Sequence, residues 1–204
     1  MNFPNLEKYR GFIFDLDGTL IDSMPHHIRA WIAVGAEHGF KVNPDDIYAW
    51  GGISSLDVVD RLKKQGCNAG DPDAFVARKV ALYREHINEV KLFQNVFSIM
   101  KGAHERGCKC AIASGTQRKN AIDTIAIHDL KAYVDALVTA EDVRKHKPDP
   151  ETFLKAANQL ELPPEECVVF EDGRLGIEAA IAGGVDCVEV KNDTFVHMYM
   201  AQKL

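Results

Sequence analysis

The chain lacks the features of membrane and secreted proteins. No apolar run approaches the roughly 20 residues that a membrane-spanning helix needs. The opening residues, MNFPNLEKYRG, lack the apolar core of a secretory signal peptide. Its five cysteines are scattered and odd in number, which is typical of reduced thiols rather than of a disulfide framework. We therefore expect a cytoplasmic protein that binds no membrane.

Basic patches and low-complexity segments are also absent. The formal net charge is −6, and no basic stripe interrupts the sequence, which argues against nucleic acid as a partner. With 46% hydrophobic residues, the chain can bury a substantial core. The length of 204 residues suits one domain with a modest insertion. Nothing in the composition indicates the oligomeric state.

Short apolar runs alternate with segments of helical periodicity. The runs are GFIF (11–14), CKCAIA (108–113), DALVTA (135–140), CVVF (167–170) and VDCVEV (185–190). The first and fourth are nearly continuous in apolar residues, as is typical of parallel strands covered on both faces. The alternation predicts an α/β fold with a doubly wound parallel sheet.

One interval breaks this rhythm. Residues 23–92 contain helical patterns but no convincing strand, and a structureless loop of that length would be unusual. We expect a helical cap inserted after the first strand, with the α/β core formed by residues 1–22 and 93–204. Because the insertion starts just past two carboxylates, we expect it to lie above them.

Residues with acidic, hydroxyl or amino side chains follow four of the predicted strands. They are Asp15 and Asp17 after the first, Ser114 and Thr116 after the second, Lys147 beyond the third, and Glu171 and Asp172 after the fourth. Ligands of open α/β sheets bind at the carboxyl ends of the strands, so we expect these side chains to converge there.

Clustered carboxylates repel one another unless a cation lies among them, and hard oxygen ligands favour Mg²⁺. Magnesium usually completes its coordination with water and substrate phosphate. Ser114 and Lys147 would hold the other phosphate oxygens, and Gly18 would let backbone N–H groups approach. One carboxylate could attack phosphorus while another moves protons. The pattern predicts magnesium-dependent chemistry on a small phosphorylated molecule.

The motifs DLDGTL, ASGT, KPDP and FEDGRLGIEAA resemble the four ordered motifs of the haloacid dehalogenase (HAD) superfamily. The resemblance spans nearly the whole core, and the insertion resembles the helical cap of that family. SMPHHIRAW and CVVFEDGRLGIEAA are most similar to small bacterial sugar phosphatases of the fructose-1-phosphate phosphatase type, and also to β-phosphoglucomutase. The resemblance implies a HAD-like Rossmannoid core and Mg²⁺-dependent hydrolysis of a sugar phosphate through an aspartyl phosphate.

The resemblance also implies roles for individual residues. Asp15 would be the nucleophile, Asp17 the general acid/base, and Ser114 and Lys147 the groups that stabilise the transferring phosphoryl group. The metal ligands would be Asp15, the backbone carbonyl of Asp17, Asp172 and, as a further contributor, Glu171. Candidate substrate contacts are Gly18, Thr19, His27, Gly52, Ser54, Gly115 and Thr116.

Simpler interpretations remain for some of these residues. Asp15 and Asp17 alone could form an Asx-turn or a helix cap. Lys145 competes with Lys147, although only Lys147 is restricted by a following proline. His27 could be structural, or it could touch substrate, since it precedes Trp31 by four residues above the predicted site.

Other functions also remain open. A β-phosphoglucomutase carries an arginine after a Gly-Val-Ser stretch, whereas Ser55 stands at that place here, in GISS. A phospho-accepting receiver module also combines clustered aspartates, a hydroxyl and a lysine on a doubly wound sheet. Such modules lack an insertion of this length, and they carry the acidic pair and the phosphorylated aspartate on different strands. A sugar-phosphate binder without catalytic activity is a third alternative.

Overall fold

The computed structural model describes residues 5–202, which form a six-stranded sheet and eight α-helices. The strands are β1 (Gly11–Phe14), β2 (Lys109–Ala113), β3 (Ala136–Val138), β4 (Cys167–Glu171), β5 (Asp186–Lys191) and β6 (Thr194–Tyr199). The helices are α1 (Met24–Glu37), α2 (Pro44–Ala49), α3 (Ser55–Lys64), α4 (Pro72–Arg84), α5 (Gln94–Glu105), α6 (Arg118–Ile127), α7 (Glu151–Gln159) and α8 (Arg174–Ala182). Short 3₁₀ helices span Ile87–Glu89, Leu130–Tyr133, Ala140–Asp142 and Pro164–Glu166.

The strand order is β3-β2-β1-β4-β5-β6, and every neighbouring pair is parallel except β5 with β6. This confirms the predicted α/β class and the five predicted strands, whose ends agree with the structure to within two residues. The sixth strand was missed. Its half-exposed sequence, TFVHMY, forms an edge and shows neither a buried run nor a clean alternation.

The sheet is covered on both faces. Phe12 and Phe14 of β1 point to one face, where α5 and α6 pack with Val96 and Ile125. Ile13 points to the other face, where α7 and α8 supply a second apolar layer. All four residues of β1 are buried, as expected for a central parallel strand. The carboxyl end of β1 therefore leaves the core at the middle of the sheet.

Helices α1 to α4 lie within residues 23–92, which we call the insert. They share an apolar cluster, joined by Leu175 of α8, in which the rings of Trp31 and Phe75 stack with centroids 6.1 Å apart. Helix α4 begins as its sequence predicts, because Asp71 accepts a hydrogen bond from the Ala74 N–H and Pro72 follows it. No helix within residues 5–202 is long and apolar enough to cross a membrane. The five cysteines are all free thiols.

Candidate functional site

The predicted catalytic side chains meet at the carboxyl edge of the three central strands. Strand β1 pairs with both β2 and β4, so Asp15 lies between the residues that follow these neighbours. Its backbone N–H donates to the carbonyl of Phe170 at 2.9 Å, which continues the ladder to the edge. Ser114 follows β2, and Glu171 is the last residue of β4. Parallel topology thus brings these distant residues together.

Lys147 is enclosed by two carboxylates. Its Nζ donates to Asp15 Oδ1 and to Glu171 Oε2, each at 2.7 Å, and all three side chains are at most 3% exposed. Burial alone would lower the pKa of Lys147, but the two carboxylates outweigh burial and raise it. Lys147 is therefore a fixed ammonium, while the exposed Lys145 instead pairs with Asp149.

The carboxylates outnumber this one ammonium. Asp15, Glu171 and Asp172 each place one oxygen within 4.8 Å of the others. Burial, followed by repulsion from Glu171, raises the pKa of Asp15 and raises that of Asp172 to about 7. A hard divalent cation would relieve this repulsion, and three carboxylate oxygens fit it chemically. The residues present therefore suit the predicted metal, although Glu171 also binds Lys147 and the Gly173 N–H.

Two glycines make this crowding possible. Gly18 has φ +90°, and a Cβ there would lie 2.3 Å from Asp172 Oδ2. A Cβ on Gly176 would lie 2.1 Å from the Glu171 carboxyl carbon. Any other residue would displace a carboxylate at either position. Gly18 thus acts by admitting Asp172, whose Oδ1 also accepts a hydrogen bond from Thr19 at 3.0 Å.

Asp17 has a different environment, supplied by the insert. Its Oδ1 accepts hydrogen bonds from Ser23 Oγ at 2.6 Å and from His27 Nε2 at 3.0 Å. Lys79 Nζ lies 2.8 Å from His27 Nδ1. Because an ammonium is only a donor, His27 Nδ1 accepts and Nε2 carries the proton. Lys79, His27 and Asp17 therefore form one directed hydrogen-bond chain from α4 through α1 to the core.

The pKa shifts of Asp17, His27 and Lys79 agree with a chain in which Lys79 donates to His27 and His27 donates to Asp17. Burial, followed by the charge of Lys79, lowers the pKa of His27, so the imidazole is neutral near pH 7. Burial would raise the pKa of Asp17, but His27 and Ser23 lower it overall. Since His27 is neutral, the charge that acts on Asp17 is that of Lys79, which adds to the hydrogen bonds in lowering this pKa. Burial lowers the pKa of Lys79 to about 8.

A chamber separates the insert from the core at this site. Its core wall includes Asp15, Asp17, Ser114, Gly115 and Thr116, and its insert wall includes His27, Lys79 and Gly52. The two walls touch, since a Cβ on Gly115 would lie 2.6 Å from the Gly52 carbonyl oxygen. The Ser114 hydroxyl accepts a hydrogen bond from the Thr116 N–H at 3.1 Å, which shapes the turn before α6.

Some predicted substrate contacts lie away from the chamber. Thr19 is fully buried against Asp172, and Ser54 is the N-cap of α3. The Ser54 hydroxyl accepts from the Asp57 N–H and donates to the Asp57 carboxylate. Ser55, not Ser54, lines the chamber. The S-x-x-D spacing was a sequence signal for this capping role.

Two residues of the hydrogen-bond network around Asp17 were not predicted. Ser23 directly precedes α1, where a serine normally caps the helix, yet its hydroxyl binds Asp17 instead. Lys79 falls on the buried stripe of α4, four residues from both Phe75 and Tyr83, and is only 4% exposed. A lysine within an apolar helical stripe was the signal that could have revealed it.

Comparisons with known proteins agree with this architecture. A family model described as haloacid dehalogenase-like hydrolase matches residues 12–190. A fructose-1-phosphate phosphatase of Escherichia coli is 33% identical over 185 residues, which cover 91% of this chain and 98% of that protein. Hexitol phosphatase A of Escherichia coli is 31% identical over 188 residues, covering 90% and 83%. A β-phosphoglucomutase structure from Clostridium difficile superposes with a TM-score of 0.81 and 25% identity, covering 89% and 84%.

Proposed function

Because the chain belongs to the haloacid dehalogenase-like hydrolase family, we propose that it hydrolyses a small sugar phosphate, such as fructose 1-phosphate, through an aspartyl phosphate on Asp15. One observation supports this above others: two carboxylates two residues apart have opposite environments. Asp15 is packed against Lys147 among carboxylates, and Asp17 is held by Ser23 and His27. Opposite environments allow the two carboxylates separate tasks.

Asp15 is placed to act as the nucleophile. Lys147 fixes its Oδ1, so the carboxylate cannot rotate freely. Attack on phosphorus forms a new P–O bond to Asp15 and breaks the ester P–O bond. Lys147 and Ser114 would stabilise the charge on the transferring group. Asp15, Asp172, the Asp17 carbonyl and, as a further contributor, Glu171 would hold Mg²⁺, which would neutralise phosphate charge.

Asp17 would move the protons. When the ester bond breaks, Asp17 protonates the leaving oxygen; it then deprotonates the water that cleaves the aspartyl phosphate. The lowered pKa of Asp17 makes the carboxylate the resting form, which suits the second step. For the first step, a bound phosphate dianion would raise the pKa of Asp17 by like-charge repulsion. His27 and Lys79 keep the side chain aimed.

The insert would serve as the cap of this site. We propose residues 23–92 as the cap and residues 1–22 and 93–204 as the core, a division supported by the apolar cluster that α1 to α4 share. A cap would exclude bulk water from the aspartyl phosphate. We also propose a cytoplasmic location, which the free thiols support.

The mutase remains the second candidate, because a β-phosphoglucomutase shares the fold at 25% identity. Against it, Ser55 lines the chamber where that family carries an arginine. A serine cannot grip a second phosphate as a guanidinium does. Membership of a hydrolase family also removes the support for a receiver module.

The test is phosphate release from a panel of sugar phosphates with Mg²⁺ present. We expect hydrolysis by the wild type and none by Asp15→Asn, because an amide is a far weaker nucleophile. Lys145→Met serves as a matched control, since the exposed Lys145 does not reach the site. Undiminished turnover by Asp15→Asn would contradict the proposed mechanism.

A further inference from the structure

The wall that the insert contributes to the chamber is poor in polar groups. Apart from His27, Lys79 and Ser55, its side chains are apolar: Met24, Trp31, Ile47, Trp50, Ile53 and Val58. The Lys79 ammonium binds His27 and also lies 4.9 Å and 5.6 Å from the ring centroids of Trp31 and Tyr83. Lys147 binds two carboxylates. Among the described residues lining this wall, no further cation could pair with a second anionic group of a ligand.

Trp50 is an aromatic residue that lines this chamber. It is the half-buried residue that follows α2, directly before the Gly51-Gly52 turn. The Arg61 guanidinium lies 5.5 Å from the indole centroid, and Arg61 does not line the chamber. The cation lies over the indole ring and helps to fix its plane. Within the described chain, the indole N–H and the Ser55 hydroxyl have no hydrogen-bond partner.

These features suit one class of ligand. The face of an aromatic ring carries negative charge density and attracts the polarised C–H groups of a sugar or polyol. The indole N–H and the Ser55 hydroxyl could bind a few ligand hydroxyls. By contrast, the charge of a carboxylate or second phosphate in the chamber would have no free cation of the described lining residues to balance it, so its loss of water would be costly.

We propose that Trp50 is a specificity-determining residue, which binds the carbon skeleton of the substrate and selects phosphate monoesters of neutral sugars and polyols over esters with a second anionic group. This inference rests on the proposed phosphatase function. It adds a substrate class and a residue that the sequence did not single out.

The experiment measures kcat/KM for three substrates with Mg²⁺. Fructose 1-phosphate is the neutral polyol ester, fructose 1,6-bisphosphate adds a second anion, and acetyl phosphate has no ring or polyol chain to lie against the indole. The variants are Trp50→Leu and Trp50→Phe. Leu56→Ala is the control, because Leu56 is 48% exposed on the same insert and does not line the chamber.

We expect the wild type to prefer fructose 1-phosphate to the bisphosphate by at least about tenfold. Trp50→Leu should lower the ratio of kcat/KM for fructose 1-phosphate to that for acetyl phosphate by about tenfold, mainly through KM. Trp50→Phe should restore most of this ratio, because it keeps an aromatic face. Leu56→Ala should leave the ratio unchanged.

Three results would overturn the inference. A ratio unchanged in Trp50→Leu would mean that the indole does not contact the substrate. Equal wild-type rates with the monophosphate and the bisphosphate would refute the substrate class. If the wild type released phosphate from none of the three esters, the proposed function itself would fail, an outcome distinct from the other two.

Discussion

Lys79 is a buried charge that costs stability and serves the site. It is 4% exposed, and burial lowers its pKa from 10.5 to about 8. Each pKa unit corresponds to about 1.4 kcal/mol, so keeping the ammonium charged costs about 3 kcal/mol at pH 7. Lys79→Met removes this cost while preserving most of the volume. The lost hydrogen bond to His27 offsets about 1–2 kcal/mol of the gain.

We therefore expect Lys79→Met to be more stable than the wild type by about 1–2 kcal/mol at pH 7. For a chain of this size, the rise in Tm would be about 2–4 °C per kcal/mol. The same variant should lose about 10²-fold in kcat with sugar phosphates, because His27 then has no donor fixing its tautomer and no longer orients Asp17. Stability and activity would thus change in opposite directions.

The pH dependence gives the sharper test. The pKa of Lys79 is lower in the folded than in the unfolded state, so the unfolded state binds the proton more tightly between about pH 8 and 10.5. The wild type therefore recovers stability as pH rises through this window. The advantage of Lys79→Met should be full at or below pH 7 and should vanish near pH 10.

Urea unfolding at pH 7 and pH 10 measures this difference, with Lys63→Met as the control. Lys63 is exposed on α3, so its replacement should change stability by less than about 0.5 kcal/mol at either pH and leave turnover intact. A Lys79→Met variant that is less stable than the wild type at pH 7, or whose advantage does not decline by pH 10, would refute the reasoning.

Three further outcomes are expected. Asp17→Asn should lose turnover of sugar phosphates by about 10²–10⁴-fold. With p-nitrophenyl phosphate, it should still release one equivalent of nitrophenol in a rapid-quench burst, since a good leaving group needs no proton. Wild-type turnover by this variant would exclude Asp17 as the acid/base. Excess chelator should abolish phosphate release. Mg²⁺ should restore it far better than Ca²⁺, which takes more ligands at longer distances. Full activity in excess chelator would contradict the metal site. Incubation with β-glucose 1-phosphate and a trace of the bisphosphate should yield free phosphate, because Ser55 replaces the mutase arginine; glucose 6-phosphate forming faster than phosphate would favour the mutase.

The residues that the core contributes to the site could be predicted from the sequence, because they follow or end recognisable strands. Asp15 and Glu171 stand at the ends of apolar runs, and parallel strands necessarily bring such ends to one edge. A buried strand can be recognised from a few consecutive apolar residues. The position of the following residue is then fixed by the topology, without any knowledge of side-chain packing.

The residues that the insert contributes to the site were harder to predict from the sequence, because their contacts depend on which helices pack together. His27 and Lys79 are 52 residues apart, and their contact requires α1 to pack on α4 in one register. Helical periodicity shows which face of each helix is buried but not which partner it meets. Ser54 illustrates the same limit, since it was predicted as a substrate contact and the structure shows it as the N-cap of α3.

The two aspartates of the opening motif derive their difference from different parts of the chain. The partners of Asp15 are Lys147 and strand β4, within the core, although Gly52 of the insert packs close to the Lys147 side chain. Those of Asp17 come from Ser23 and His27, at the start of the insert. Displacement of α1 would remove His27 from Asp17 while leaving the Asp15–Lys147 pair intact. Proton transfer, and not nucleophilic attack, is therefore the step that we expect to depend on the position of the insert. Such an arrangement would restrict water activation by Asp17 to the state in which the chamber is covered.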